Sequence, residues 1–324
     1  MEGTGVMRFA VLIAILFGSA TCCGADRAPR LIMVVGAAGS EEFQKPFREW
    51  AERWQAAAKK GNAECTIIGL SDSGDRSDKE LLRDSLSRVS AAGNESSHVW
   101  LVLIGHGTYD GKTPRFNLRG PDISATELKD LLQPIQSPLA VINCAASSGP
   151  FLAELAAPNR AVITATRSGS EYNFAHFGDY LSAASGDPAA DLDKDDQTSL
   201  LEAYLLAGSR LREFYAKDGR LATEHALLDD NGDKLGTPAE FFQGLRVVKS
   251  PKAGASVDGS LSRQFVLVRS SREEGLPAEV RAQRDELERQ LAELREKKGK
   301  LTEAEYFAQL ETLLVQIAKL SVVP

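Results

Sequence analysis

Two side chains of this 324-residue chain can do covalent chemistry together. Cys144 closes the apolar run PLAVINCAASSG (138–149), and His106 closes VWLVLIGHG (99–107). A thiol attacks a carbonyl only as thiolate, so it needs a base or a depressed pKa. Imidazole is the usual base because its charge changes near neutral pH. Gly105 and Gly107 flank the histidine and let a substrate carbonyl come close to the backbone. The N–H groups of Gly107 and Cys144 are then candidate donors to an oxyanion. A helix starting near Ser148 would turn its positive end towards the thiolate.

Both runs read as buried parallel strands, with the reactive residue at the C-terminal edge. Open α/β sheets bind their ligands outside that edge. The flanking sequence supports the setting. RLIMVVGAAG, CTIIGL, VWLVLIGHG, PLAVINCA and RAVITATRS are strand-like. EEFQKPFREWAERWQAAAKK, DKELLRDSLSRVSAA, ATELKDLLQPI and PFLAELA have helical spacing between them. Alternation of this kind predicts right-handed βαβ units and a mostly parallel sheet covered on both faces. GAAG after the first strand lacks the spacing of a dinucleotide loop. TYDGKTPRFNLRGPDIS is expected to be a turn-rich insertion.

Hydrophobic residues make up 43% of the chain and the net charge is -7, without a basic arm, which argues against a nucleic-acid partner. Arg8, the short apolar run FAVLIAILFG and small residues up to Ala25 predict a secretory signal peptide over 1–25 and a secreted or periplasmic protein. A lipid anchor on Cys22 or Cys23 is disfavoured, because SATC lacks the usual leucine. Processing leaves Cys65 and Cys144, too few for a disulfide framework; a single Cys65–Cys144 bridge is the bland alternative to a catalytic thiol.

Strand-HG followed by strand-NCAASSG resembles the caspase–legumain clan of cysteine peptidases over roughly 30–242. TRSGSEYNFAHFGDYL and RLATEHALLDDNGD resemble its legumain-like branch, notably the bacterial exported members. The resemblance implies a caspase-like three-layer α/β sandwich over 26–271. It implies His106 as the catalytic histidine, Cys144 as the nucleophile, and Gly107 and Cys144 as oxyanion donors. No cofactor is required, and the substrate is a peptide or protein. Glu171 matches an acidic S1 residue, whereas the S1 arginine after the first strand has no counterpart in SEEFQKPF. P1 is therefore expected to be basic, if Glu171 faces the pocket alone, or asparagine. His98, His176 and His225 are the rival bases. The competing readings are a non-catalytic binding module, a zymogen, and a thiol esterase or amidase.

DLDKDDQTSLLE places Asp191, Asp193, Asp195, Gln197, Ser199 and Glu202 at the ligand offsets of an EF-hand-type loop, so Ca2+ is a candidate ligand. Asp196 stands where the pattern wants glycine. Asp229, Asn231, Asp233, Thr237 and Glu240 repeat the offsets more weakly, with Lys234 at the glycine position. Residues 272–324 predict a charged helical hairpin. Its second helix is capped by Thr302 and Glu305, with a seam of Tyr306, Leu310, Leu313, Ile317 and Leu320. That seam suits docking on the catalytic domain or on a protein partner.

Overall fold

The computed structural model describes residues 28–71, 74–93, 98–249, 252 and 256–320. The expected leader, with Cys22 and Cys23, lies outside these residues. Among the described residues no helix is long and apolar enough to cross a membrane.

The alternating pattern folds in the expected order. β1 (Arg30–Val35), α1 (Glu41–Lys60), β2 (Glu64–Ile68), α2 (Asp78–Ala91) and β3 (Val99–Ile104) come first. A separate antiparallel sheet follows, made of β4 (Gly107–Tyr109), β5 (Pro114–Phe116) and β6 (Ile123–Ser124). This sheet occupies the stretch expected as turns. Phe116 and Ile123 are fully buried on the domain, and that tertiary burial outweighs the local turn chemistry. Next come α3 (Ala125–Leu132), β7 (Leu139–Asn143), α4 (Gly149–Leu155), β8 (Arg160–Thr164), α5 (Phe177–Ala184), α6 (Leu200–Lys217) and β9 (Leu227–Asp229).

The main sheet has the order β2-β1-β3-β7-β8-β9, parallel except for β9. Its strands are apolar on both sides because both faces are covered. One face carries α1, α5 and α6, with Phe47, Trp50, Trp54, Phe177 and Tyr204 in its core. The other carries α2, α3 and α4, with Leu82, Leu86, Leu128, Phe151 and Leu155. The chain is thus a three-layer α/β sandwich with a mostly parallel sheet.

A small hairpin, β10 (Phe242–Gln243) and β11 (Arg246–Val247), and a short helix, α7 (Ser271–Glu274), lead to the tail. The tail is the expected helical hairpin, α8 (Ala278–Glu296) and α9 (Glu303–Leu320). Thr302 accepts from Glu305 N while Glu305 accepts from Thr302 N, so the capping box forms. Leu287, Leu291, Leu294 and Tyr306 are buried within the hairpin and belong to neither sheet-face core. Its junction with the domain is polar, through Gln264 donating to Asp285 O (2.9 Å) and an Arg284–Glu273 ion pair. A charged cavity of about 1010 Å3 lies at this junction. It opens at the N-terminal edge of the strands, lined by His98, Pro138 and Asn159, far from the ends that carry His106 and Cys144.

Candidate active site

Cys144 extends the β3–β7 ladder by one residue, its N–H donating to Leu103 O (2.9 Å). Side chains alternate along a strand. Ile142 and Cys144 therefore share the face of Ile104 and of His106 two positions beyond it, and this is the face covered by α1 and α5. The imidazole sits among aromatic rings: Phe43 at 4.7 Å, Phe47 at 5.2 Å and Phe174 at 6.2 Å between centroids. The first two come from the aromatic stripe of α1.

His106 Nε2 lies 3.1 Å from Ala38 O. A carbonyl only accepts, so Nε2 carries the proton and Nδ1 keeps its lone pair. The GAAG turn is what supplies this carbonyl. Gly36 N donates to Ile104 O and Ala37 N to Asn117 O, and Asn117 N donates back to His106 O. Gly36 passes so close to Asn117 O that a Cβ there would lie 2.2 Å away. Sequence reading missed Ala38 because a backbone carbonyl has no side-chain signature.

The expected oxyanion pair divides. Cys144 N–H is spent on the ladder. Gly107 pairs with Phe116, and the Asn117 N to His106 O bond makes that pair a non-hydrogen-bonded one, which turns the Gly107 N–H away from β5. Gly107 also abuts Ala146 O, where a Cβ would come to 2.4 Å. Asn143 Oδ1 accepts from Ala145 N (3.1 Å), and Ser147 is held in the left-handed region (φ 53) by its N–H on Glu171 O. These contacts bend the chain sharply behind the thiol.

Cys144 is 1% exposed. The start of α5 lies on it: a Cβ on Gly178 would sit 2.7 Å from Cys144 Cβ and 2.6 Å from Trp50 Cζ3. No hydrogen bond joins the thiol to His106 among the described residues. Burial, with a smaller contribution from the Glu224 carboxylate, pushes the thiol up to about 12. On the order of one thiol in 10^5 is then ionised at neutral pH. The start of α5 does not favour a thiolate either. Glu224 accepts from His176 N (2.8 Å) and Phe177 N (2.9 Å), so its carboxylate already occupies the positive end of α5. Glu224 is itself buried, and desolvation raises its pKa. Cys65 and Cys144 are both free, and β1 and β3 separate their strands, so the disulfide alternative fails.

Glu171 does not face the cleft alone. Its carboxylate meets His225 Nδ1 (2.7 Å) and Arg167 Nε (3.1 Å) and accepts from the backbone N–H of Arg167. The condition for a lone acid selecting a basic P1 is therefore not met. The rival histidines are accounted for. His225 pairs with Glu171. His176 precedes α5 and packs on Phe174 and Phe214, its pKa lowered by burial. His98 is half-buried at the opposite sheet edge, with a pKa pushed down to about 4, chiefly by desolvation.

No protein-family model matches this chain, and no curated protein sequence does. Among solved structures, the Drosophila initiator caspase Dronc is similar at 16% identity over 71% of this chain and 93% of that one, with a TM-score of 0.41. Caspase-1 from Spodoptera frugiperda is similar at 7% identity over 64% and 87%, with a TM-score of 0.43. Chaetomium thermophilum Raptor is similar at 12% identity over 51% of this chain and 19% of that one, with a TM-score of 0.34. Likeness at this level is loose and carries nothing about chemistry; the fold stands on the strand order above.

The acidic loop before α6 brings three of the six expected ligands together. One carboxylate oxygen each from Asp191, Asp193 and Asp195 lies within 4.8 Å of the others. These hard oxygens suit Ca2+. Asp196 takes the left-handed conformation (φ 65) wanted at the glycine position, and Asp191 accepts from Lys194, Asp195 and Asp196 N–H groups. The other expected ligands are committed elsewhere. Ser199 and Glu202 form the capping box of α6, and Glu202 Oε1 accepts from Leu192 N. Gln197 Nε2 donates to Asp195. The second loop repeats the turn, with Asp229 accepting from Gly232 and Lys234 N–H groups and Lys234 at φ 69.

Proposed function

We propose that this chain is a cysteine peptidase of the caspase–legumain type, working through Cys144 and His106. The observation that carries this is the shared cleft face, with His106 Nε2 tied to the Ala38 carbonyl and Nδ1 left as the base. In the reaction the Cys144 thiol gives its proton to His106 Nδ1 and its sulfur attacks the scissile carbonyl carbon. The Gly107 N–H is the backbone donor free to meet the oxyanion. His106 then protonates the leaving amine, and water releases the acyl group from the thioester.

We further propose that the conformation described here is the latent form of that enzyme, because α5 covers the thiol and burial, with a smaller contribution from Glu224, keeps it protonated. The substrate-ready form needs the start of α5 to move off Cys144, whether by proteolysis or by substrate binding. Asparagine at P1 suits the rim better than a basic residue. Glu171 is already occupied by His225 and Arg167, whereas the exposed Arg167 guanidinium can donate to a carboxamide oxygen and repels a basic side chain. We also propose export through the 1–25 leader and Ca2+ held by Asp191, Asp193 and Asp195.

A thiol-directed peptidyl electrophile tests the core reading. Labelling confined to Cys144 and abolished in His106→Ala is expected. A Cys144 that stays unlabelled after limited proteolysis of the 170–187 segment sinks it and leaves a binding module.

A further inference from the structure

We propose that a slot beside His106 takes an aromatic side chain on the leaving residue, P1′, and that Phe174 plugs this slot in the latent form; the inference rests on the peptidase reading of Cys144 and His106. α1 supplies three rings along one helix face, Phe43, Phe47 and Trp50. Phe47 and Trp50 are buried against the domain, whereas Phe43 is half-buried. Phe174, from the segment between β8 and α5, lies among them. Its ring stacks on Phe43 at 4.8 Å and stands 5.9 Å from Trp50 and 6.2 Å from both Phe47 and the His106 imidazole. Phe174 is itself half-buried, so the slot it fills opens outward.

The reaction decides which part of a substrate meets this slot. His106 hands its proton to the leaving amine, so that nitrogen comes within hydrogen-bond reach of the imidazole. The P1′ side chain begins one carbon beyond that nitrogen, among the rings that pack on His106. The P1 rim lies elsewhere. Glu171 and Arg167 pack on the turn that follows Cys144, where Ser147 N donates to Glu171 O and Gly149 abuts the Arg167 backbone. The walls and the plug also differ in how they are carried. The α1 rings belong to a helix packed on β1, β2 and β3. Phe174 lies shortly before Gly178 on the same segment, and Trp50 abuts both. Lifting the start of α5 off Cys144 therefore draws Phe174 out and leaves the aromatic walls behind. A phenylalanine or tyrosine at P1′ then makes the stacked and edge-to-face contacts that Phe174 makes in the latent form. A glutamate there loses its water against the negative faces of the rings.

Internally quenched peptides with asparagine at P1 and different P1′ residues test this, on the chain opened by limited proteolysis of the 170–187 segment. The kcat/KM for phenylalanine at P1′ should exceed that for alanine by about 10-fold or more, with glutamate poorest. Phe43→Ala should erase the margin while asparagine is still chosen over lysine at P1. Phe43→Leu, the milder change, should lower the phenylalanine-over-leucine ratio. In the unopened chain, Phe174→Ala should let a thiol-directed peptidyl electrophile label Cys144 about 10-fold faster, and Phe174→Leu, which refills the slot, should restore slow labelling. Cleavage without a P1′ preference, a preference that survives both Phe43 variants, or a Phe43→Ala that blunts P1 and P1′ choice alike overturns the inference and leaves the peptidase reading standing. So does equal labelling of Phe174→Ala and wild type. A chain that cleaves none of the peptides and leaves Cys144 unlabelled overturns the peptidase reading, and the slot with it.

Discussion

Gly178 lies directly on Cys144, with room for a hydrogen but not for a methyl group. The contact joins the first turn of α5 to the end of β7 and decides the state of the thiol. Trp50 of α1 closes the third side, and Arg53 of α1 pins the helix by donating to Asp179 Oδ1 (2.5 Å).

Gly178→Ala forces that packing apart. The new methyl group meets Cys144 and Trp50 rather than a flexible chain end, so overpacking should cost about 1–3 kcal/mol. Urea unfolding checks this. Native-state reaction of Cys144 with a disulfide reagent should become faster, because α5 has to lift. Unchanged stability together with unchanged reactivity would show that α5 does not sit on the thiol.

The pH dependence of alkylation reads the same contact. With the thiol raised to about 12, the Cys144 rate should still be climbing well above pH 9, where an ordinary thiol has levelled off. Glu224→Gln removes the neighbouring charge and one helix-capping acceptor. It should shift the profile to lower pH.

His106→Ala should lower turnover by about 10^2–10^4-fold while leaving the melting temperature near its original value. Gly36→Ala should lower kcat more than it raises KM. Its methyl group meets Asn117 O and shifts the turn that presents the Ala38 carbonyl to the imidazole. Steady-state kinetics on a P1-asparagine peptide measures both. Peptides with lysine or arginine at P1 should be poorer, and Arg167→Ala should erase the preference.

The buried acids near Asp230 should contribute less to stability as pH rises from about 4 through their folded values. Asp229 is raised to about 6 and Asp258 is raised as well, both chiefly by desolvation, with the buried Asp230 adding repulsion on both. Folded carboxyls that hold protons more tightly than the unfolded chain favour the folded state at low pH. That advantage is lost as pH climbs through the folded values. Asp258→Asn should flatten the slope of melting temperature against pH in this window.

Ca2+ should raise the melting temperature relative to chelator, and Asp193→Asn should cancel the rise. Glu202→Gln should lower stability with or without the ion, since its carboxylate caps α6 and braces Leu192.

Much of this molecule was decided by sequence alone. The two apolar runs ending in His106 and Cys144, their order, the helices between them and the Thr302–Glu305 cap are local patterns, and local periodicity and capping chemistry suffice to set them. The tertiary structure decided what surrounds the dyad. Ala38 gives His106 its tautomer across 68 positions, Glu224 meets the start of α5 from 47 positions away, and His225 takes Glu171 across 54. It also spent the Cys144 N–H on Leu103 and Glu202 on its own helix. Contacts of this kind join irregular backbone segments whose meeting depends on how whole layers stack. The sequence therefore names the candidate pair, while the packing of α5 against β7 determines how far its thiol is covered.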